Sequence, residues 1–359
     1  MYDSLPSCCF RDRGLAGLVE MALISRKKCV YEPSDGLRDY LETHGRLVDL
    51  PILYDGLGAY AETIPVYDKH GEDTLWETAL YRGTDREVIS RALVKIYADL
   101  KVMGDMSLIE HLVTDRVDVC TWGNTKPYRV RILNTLNENF DYFYVKKADA
   151  SRIYGLELEH VLAPSRIEFM CDGQTVVEQH VSGIPAQDFM KHYLKDTRLD
   201  EVRLAKEFVK FNERCMLRLL GDMHAGNFVV DITPDFDETV YSMRAIDFDQ
   251  QSYEGRSHVY LPQYYKVNNP LVFLGMRCMS VETVKQYRNE ERTLMGNRAK
   301  VEEARLSALL DAMCEDELAP RDNVLQLRGE LAEYHGEPKF FAGESMGDLV
   351  RISLQQLAI

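Results

Sequence analysis

Apolar residues recur at helical spacing in the stretch that begins at Thr84. Thr84 and Glu87 have the spacing of a capping box, and Gly104 is typical of a helix end. The apolar positions of this stretch are Val88, Ile89, Ala92, Leu93, Ile96, Tyr97, Leu100 and Met103. The spacing predicts an amphipathic helix over 84–103 whose apolar side packs on a neighbouring layer.

Strand patterns cluster on both sides of this helix. Segments rich in Val, Ile, Tyr and Phe occupy 64–68, 73–81, 117–122, 128–133, 140–147, 166–170 and 175–181. Turn residues separate them, including Gly123-Asn124, Asn137-Glu138-Asn139 and Asp172-Gly173. The order predicts a hairpin around 69–72 and then an antiparallel meander, with one short helix over 152–162 inserted in it.

From Ala186 onward the pattern is mostly helical. Helices are predicted over 200–220, after Ser280, over 298–316 and over 323–334, and two short strands are predicted at 228–231 and 241–248. The chain therefore reads as an α+β protein with a small antiparallel sheet and a larger helical half. We divide it into an N-terminal α/β extension of unassigned role (1–116), a small lobe (117–182) and a helical lobe (183–359).

Composition narrows the function classes. The 359 residues carry a formal net charge of −15, so a polyanion is disfavoured and we exclude nucleic acid as the main partner. No apolar run is long enough to span a bilayer, and the first residues lack a signal-peptide pattern, so we expect no membrane partner. The eight cysteines form no C-x-x-C pair and the nine histidines show no metal-site spacing. We expect a cytoplasmic protein with free thiols.

Candidate chemistry lies in two segments, LLGDMHAGNFVVD at 219–231 and RAIDFDQ at 244–250. Asp222 and Asn227 lie five residues apart in a loop that enters a strand, and Asp247 ends the returning strand. A hairpin would bring Asn227 and Asp247 to the same end, where hard oxygen ligands could share a Mg²⁺ ion. Phosphoryl transfer needs such a site together with a carboxylate that orients the attacking hydroxyl. The alternative reading is a set of structural turn residues.

The two segments resemble motifs of the protein-kinase-like superfamily, closest to its aminoglycoside and choline phosphotransferase branch. The catalytic loop of that branch reads close to G-D-x-H-x-G-N, which is matched here by Gly221, Asp222, His224, Gly226 and Asn227. Its second motif, Ile-Asp-aromatic-acid, is matched by Ile246, Asp247, Phe248 and Asp249. The resemblance implies a bilobal kinase-like fold with ATP and Mg²⁺ as cofactors. It makes Asp222 the catalytic base or the residue that positions the hydroxyl, Asn227 and Asp247 the magnesium ligands, and His224 a residue that braces the loop.

Upstream segments resemble the nucleotide-binding half of the same superfamily. FYVKK at 143–147 resembles the strand that carries the phosphate-binding lysine, for which Lys146 is favoured and Lys147 on the opposite face is the competitor. Glu157 lies in the apolar stripe of the inserted helix, and its expected partner is Lys146; an exposed glutamate is the alternative. The segment from Glu178 to Val181 resembles the hinge whose backbone binds adenine.

Three departures from the superfamily pattern limit the function. No G-x-G-x-x-G loop precedes Lys146, Leu220 stands where many members have His or Arg, and Asp249 replaces the glycine of D-F-G. These departures argue against an ordinary protein kinase. The expected function is transfer of the γ-phosphoryl group of ATP to a hydroxyl of a small molecule. Alternatives are an atypical protein kinase, an AMP-transferase acting on a protein, or a non-catalytic nucleotide-binding module that binds a protein partner through residues 1–116.

Overall fold

The computed structural model describes residues 28–357, apart from 69–70, 103–105, 122–124 and 236–237. The described chain divides into two compact units. The first comprises Leu41–Ala148 and Ile167–His180, and the second comprises 28–40, Asp149–Arg166 and 181–357. The predicted α+β class is confirmed, because an antiparallel sheet occupies the N-terminal half and the C-terminal part is mostly helical.

The first unit is built on a seven-stranded antiparallel sheet. Its strands are β1 (Glu62–Tyr67), β2 (Asp73–Leu80), β3 (Leu112–Val119), β4 (Tyr128–Asn134), β5 (Phe140–Lys147), β6 (Phe169–Asp172) and β7 (Thr175–Gln179). Their order in the sheet is β1-β2-β3-β4-β5-β7-β6. Every neighbouring pair is antiparallel, as the meander pattern predicts.

Part of this sheet comes from residues that the sequence places in the N-terminal extension. Strands β1 and β2 form the predicted hairpin, with Val66 opposite Trp76, and β2 pairs with β3 through Thr78 and Asp118. The middle of the predicted turn, residues 69–70, lies outside the described residues. The extension before residue 117 thus contributes strands to the same sheet as the predicted small lobe.

One long helix packs on the sheet of the first unit. The described helices are α1 (Asp35–Thr43), α2 (Gly83–Val102), α3 (Ala150–Leu162), α4 (Ala186–His192), α5 (Glu201–Arg218), α6 (Asn269–Cys278), α7 (Val281–Val301), α8 (Glu303–Glu315), α9 (Arg321–His335) and α10 (Met346–Leu354). The helix on the sheet is α2, and the predicted amphipathic helix is confirmed, but it begins at Gly83, so Thr84 lies inside the helix and not at its cap. Gly104, the expected stop, lies outside the described residues. Ile89, Leu93 and Ile96 of α2 are buried in one core with Val130 and Phe143 of the sheet. Burial of this apolar face is what stabilises the layer.

The second unit is mostly helical and contains a three-stranded sheet. The strands are β8 (Ile184–Pro185), β9 (Phe228–Asp235) and β10 (Glu238–Ala245), in the order β10-β9-β8. Strand β9 is longer than the predicted strand 228–231, and strand β10 begins before the predicted start at 241: Ile232 pairs with Tyr241 and Asp235 with Glu238. Antiparallel pairing can continue through polar residues when both strand faces tolerate solvent.

Helix boundaries in the second unit follow capping residues. Asp200 accepts a hydrogen bond from the Arg203 backbone N–H at 3.0 Å and caps α5, and Ser280 accepts from the Thr283 N–H at 3.3 Å and caps α7 as predicted. Gly336 ends α9 in the left-handed region. The helix predicted over 298–316 is divided, because α7 runs to Val301 and α8 begins at Glu303. Within the described part of the chain, no helix has the length and apolar character needed to cross a membrane.

Candidate functional site

The loop that carries Asp222 begins where α5 ends in the core of the second unit. Leu219 ends the helix in the left-handed region, and its N–H donates to the backbone oxygens of Cys215 and Met216. Leu219 and Leu220 are fully buried, so the start of the loop is fixed. Asp222 itself has φ of 60°, which is a strained conformation for a residue with a Cβ atom. Such strain persists where the surroundings enforce it, and it is common at functional sites.

Hydrogen bonds inside the loop hold Asp222 and Asn227 together. The Asn227 Nδ2 amide donates to the backbone oxygen of Asp222 at 2.9 Å and to its Oδ2 at 3.4 Å. The His224 backbone N–H also donates to the Asp222 backbone oxygen, at 2.9 Å. Asn227 is buried, so water does not compete for these hydrogen bonds.

His224 braces the loop, as the resemblance implies. Its Nδ1 accepts from the Gly226 N–H at 3.0 Å, and its backbone oxygen accepts from the Asn227 N–H at 2.8 Å. Burial lowers the pKa of His224 to about 4, which keeps the ring neutral and Nδ1 available as an acceptor. A Cβ atom at position 226 would lie 2.8 Å from His224 Cε1, so this close turn requires glycine.

The β9–β10 hairpin brings Asn227 beside the segment that holds Asp247, as the sequence predicts. Phe228 pairs with Ala245 at the end of the hairpin, and the Ile246 N–H donates to the Asn227 backbone oxygen at 3.0 Å. Asp247 is the next residue along the chain and lies two residues beyond the end of β10 at Ala245, not in the strand as the sequence predicts. The three predicted chemistry-bearing residues of the second unit therefore lie at one end of one hairpin.

Four carboxyl groups share this end. Burial raises the pKa of Asp222 well above its usual value, and the neighbouring negative charges of Asp247, Asp249 and Glu254 raise it further. Burial also raises the pKa of Glu254, which Arg256 opposes. Such a concentration of carboxyl groups is costly unless nearby cations compensate the charge or protons neutralise it.

Arg152 supplies one of those cations from helix α3. Its side chain is fully buried, and one nitrogen, Nη2, donates to Asp247 Oδ1 at 3.2 Å and also to Asp249 Oδ1. Three residues further along α3, Gly155 lies against the same segment, since a Cβ atom there would be 3.0 Å from Phe248 Cβ. Arg152 and Gly155 lie on one face of the helix. This face packs on the segment that contains Asp247.

Lys28 supplies a second cation to the same region. Its ammonium lies 2.5 Å from Asp149 Oδ2 and also donates to the backbone oxygen of Asp249. The other carboxylate oxygen of Asp149 accepts from the Ser151 N–H at 3.1 Å and caps α3. The start of the helix and the Asp247–Asp249 segment are thereby connected through one lysine.

Neither Arg152 nor Lys28 belongs to a motif, and both escape prediction from the sequence. A signal was present for Arg152: every residue of α3 is buried, and the helix contains an arginine, two glutamates and a histidine. Charged residues in a helix that is otherwise apolar must find partners when the helix is buried. The identity of the partners depends on the tertiary fold and cannot be read from spacing.

Glu157, also on α3, has partners in the second unit that the sequence did not indicate. Its buried carboxylate accepts from Arg305 Nη2 at 2.8 and 2.9 Å and from the Tyr40 hydroxyl at 2.9 Å. Glu157 is fully buried, so the alternative of an exposed helix glutamate is wrong. The expected pair with Lys146 would join the two units and stays a prediction.

Lys146 and Lys147 have opposite environments on β5. Lys146 is buried and its ammonium lies 2.7 Å from Glu178 Oε2 on the neighbouring strand β7. The Lys147 side chain is 54% exposed and lies 3.8 Å from the carboxylate of Asp55. Strand alternation predicts this difference, and the buried position favours Lys146 as the candidate phosphate-binding residue.

The predicted hinge residues lie at the end of β7 and beyond it. Glu178 lies inside the sheet, between Tyr144 of β5 and Phe169 of β6, and its side chain binds Lys146. An adenine contact through the Glu178 backbone is disfavoured, because residues inside a sheet use their backbone groups in the ladder. Val181 follows the strand and is buried.

Among the described residues, no group of three or more His, Cys, Asp or Glu side chains has an arrangement that could hold a metal ion. The predicted magnesium ligands, the Asn227 amide and the Asp247 carboxylate, are fewer than the three groups that such an arrangement requires. In comparisons with known proteins, no family model matches the chain and no curated protein matches it.

Proposed function

We propose that this protein transfers the γ-phosphoryl group of ATP, with Mg²⁺, to a hydroxyl group of a small molecule. The observation that carries the proposal is the position of Asn227. Its side chain binds Asp222 and its backbone oxygen binds Ile246, so the loop and the strand motif meet at one residue. A bilobal kinase-like arrangement of the two units is part of this proposal, on the strength of the sequence resemblance.

The donor set fits magnesium. Asn227 uses its Nδ2 atom on Asp222, which leaves the amide oxygen as the ligand atom, and Asp247 offers a carboxylate. In phosphoryl-transfer sites Mg²⁺ takes one or two protein carboxylates or amides and completes its shell with phosphate oxygens and water. When bound, the ion would neutralise part of the negative charge of the phosphates. A small donor set is therefore what this chemistry requires.

Asp222 would orient the acceptor hydroxyl and take its proton. Asn227 holds the left-handed backbone of Asp222 through its carbonyl oxygen at 2.9 Å, and it donates to the carboxyl oxygen Oδ2 at 3.4 Å. Burial and the neighbouring carboxylates raise its pKa, which brings a carboxyl group closer to the range in which a general base is effective. Positioning of the hydroxyl supplies much of the rate in phosphoryl transfer.

Lys146 would bind the phosphates of the nucleotide, and adenine would contact the backbone near Val181. Glu178 forms an ion pair with the buried Lys146 side chain within the first unit and holds it in place on β5. Because Lys146 and Asp222 belong to different units, this part of the proposal needs a test of its own. Loss of nucleotide affinity in Lys146→Met with unchanged affinity in Lys147→Met would support it.

The main experiment measures ATP-dependent transfer against a panel of hydroxyl-bearing metabolites, in the presence and absence of Mg²⁺. Asp222→Asn should lower turnover at least about 100-fold while nucleotide binding is kept, because the fold of the loop survives the isosteric change. Asp231→Asn on β9 is the matched control and should keep activity. Equal turnover of wild type and Asp222→Asn would contradict the proposal.

The label position in the product separates phosphoryl transfer from nucleotidyl transfer. Transfer from γ-labelled ATP supports phosphorylation, whereas retention of label from α-labelled ATP would mean that AMP is moved. A lysate of proteins as acceptor tests the protein-substrate alternatives in the same assay.

One observation favours a second candidate, a nucleotide-binding module without transfer activity. Arg152 already donates to Asp247, the proposed magnesium ligand, so a bound ion would have to share that carboxylate. A module would be stabilised thermally by ATP with Mg²⁺ and would show no transfer or hydrolysis with any acceptor. Transfer that depends on Asp222 would exclude it.

A further inference from the structure

A cavity in the helical unit is lined by positively charged side chains. Its volume is about 330 Å³, and its walls include Lys285, Arg288 and Arg292 of α7 with Tyr334 and His335 of α9. No carboxylate is among the described residues that line it. A positive cavity is unusual on a chain with a formal net charge of −15, and it uses none of the residues proposed for phosphoryl transfer.

The cations lie on one face of α7. Lys285, Arg288 and Arg292 follow the three- and four-residue spacing that places side chains next to one another on a helix. Like charges at this spacing destabilise a helix, so the arrangement costs stability unless anions compensate it. The same face carries Asn289, a neutral hydrogen-bonding residue, at the edge of the cavity.

One buried carboxylate compensates the cations in part. Glu213 of α5 accepts from Arg288 Nε and from Arg292 Nε, each at 2.6 Å. This glutamate side chain is only 2% exposed, so it is a fixed anchor for both guanidinium groups. Three cations against one carboxylate leave an excess of two positive charges in the cavity.

The cavity also contains fixed neutral groups. The Tyr334 hydroxyl accepts from Arg288 Nη2 at 2.7 Å, which orients that guanidinium further. The Nε2 atom of His335 is buried and has no hydrogen-bond partner in the protein. A buried ring nitrogen without a partner is costly, and a ligand or a water that supplies one would relieve that cost.

We propose that this cavity binds a small phosphate-bearing molecule. A phosphate monoester carries a charge near −2 at pH 7, which matches the excess charge of the site. The guanidinium groups of Arg288 and Arg292, which Glu213 holds in place, can each donate two hydrogen bonds to phosphate oxygens. Lys285 adds a positive charge. The volume lies at the lower end of the range for small-molecule sites, which favours a small ligand over a macromolecule.

The test is a titration of the full chain, without nucleotide, with inorganic phosphate and with glycerol phosphate. Binding is measured by calorimetry and by thermal shift. Saturable binding is expected. Arg292→Gln and Lys285→Gln should each weaken it at least about 5-fold, because each removes a charged hydrogen bond to the anion. Lys300→Gln, which removes a charge from the same helix away from the cavity, is the matched control and should bind as wild type does.

Lys285 is exposed, so its variant is expected to fold even if loss of Arg292 disturbs Glu213. Three results would overturn the proposal: no saturable binding of either probe, equal binding by wild type and Lys285→Gln, or equal stabilisation by sodium chloride at the same ionic strength. None of these results bears on transfer from ATP, which is tested separately through Asp222.

Discussion

Arg152 Nη2 lies 3.2 Å from Asp247 Oδ1, so a buried guanidinium from α3 directly contacts the carboxylate proposed to bind magnesium. The same nitrogen binds Asp249. The helix therefore contributes charge as well as packing to the candidate site. Removal of the guanidinium would leave two carboxylates without this cation in a crowded, partly buried environment.

Substitution of Arg152 should be strongly destabilising. We expect Arg152→Met to lower the free energy of unfolding by about 3–5 kcal/mol, since it breaks a buried ion pair on one side only. Arg152→Lys should lower it less, because the charge is kept. Urea denaturation measures both. Arg166→Met, which breaks an exposed pair with Glu302, is the control and should cost below about 1 kcal/mol. A loss of similar size in both arginine-to-methionine variants would contradict the role assigned to Arg152.

The close turn at Gly226 should not tolerate a side chain. Gly226→Ala would place Cβ against His224 and should lower the free energy of unfolding by about 1–3 kcal/mol, with loss of any Asp222-dependent activity. Gly329→Ala on α9 is the matched control, because nothing lies within 4 Å of its added Cβ; it should be neutral or stabilising by up to about 1 kcal/mol. A stable Gly226→Ala variant would mean that the loop can open without cost.

A pair of double-mutant cycles distinguishes the two partners considered for Glu157. The cycle of Glu157→Gln with Arg305→Met should give a coupling energy of roughly 1–3 kcal/mol, because the two groups form a buried bidentate pair. The cycle of Glu157→Gln with Lys146→Met tests the pair expected from the family resemblance. Coupling near zero in that second cycle would remove Lys146 as a partner of Glu157 in the ligand-free protein.

His335 should make the protein sensitive to acid. Burial and the nearby Arg292 and Arg288 lower the pKa of His335 to about 4 in the folded chain, against about 6.5 in an unfolded chain. The unfolded chain therefore takes up a proton below pH 6.5 that the folded chain refuses until about pH 4. Stability is fully present above pH 6.5 and is lost as the pH falls toward 4.

The expected loss is about 2 kcal/mol between pH 7.5 and pH 5, measured as the difference between wild type and His335→Gln in urea denaturation. His192→Gln, at an exposed position on α4, serves as the control and should follow wild type. If His335→Gln loses as much stability on acidification as wild type does, another group is responsible.

Local pattern predicted much of the fold. The α2 helix, the antiparallel pairing and the Ser280 cap all follow from periodicity and capping chemistry, which depend on neighbours within a few residues. The boundary at residue 117 shows the limit of such reasoning. Whether the hairpin of β1 and β2 joins a sheet is decided by its contact with β3, and turn residues alone do not reveal it.

The candidate site was also predictable only where it depends on residues that are close in sequence. The proximity of Asp222, Asn227 and Asp247 follows from one short loop and one hairpin, both local in sequence. The cations that compensate the carboxylates come from elements far along the chain, where sequence spacing carries no information. Glu178 is a similar case: its place as the side-chain partner of Lys146 depends on strand order in the sheet.

Lys28 contacts Asp149 and Asp249, which lie 121 and 221 residues further along the chain. Contacts of such long range are gained only when a large loop closes, which costs chain entropy. A fragment limited to 117–250, the range of the sequence resemblance, would retain the two motifs but lack Lys28, Tyr40 and Arg305. Truncated variants should therefore keep the flanking sequence. A segment chosen by its motifs alone would lack the distant side chains that bind its buried carboxylates.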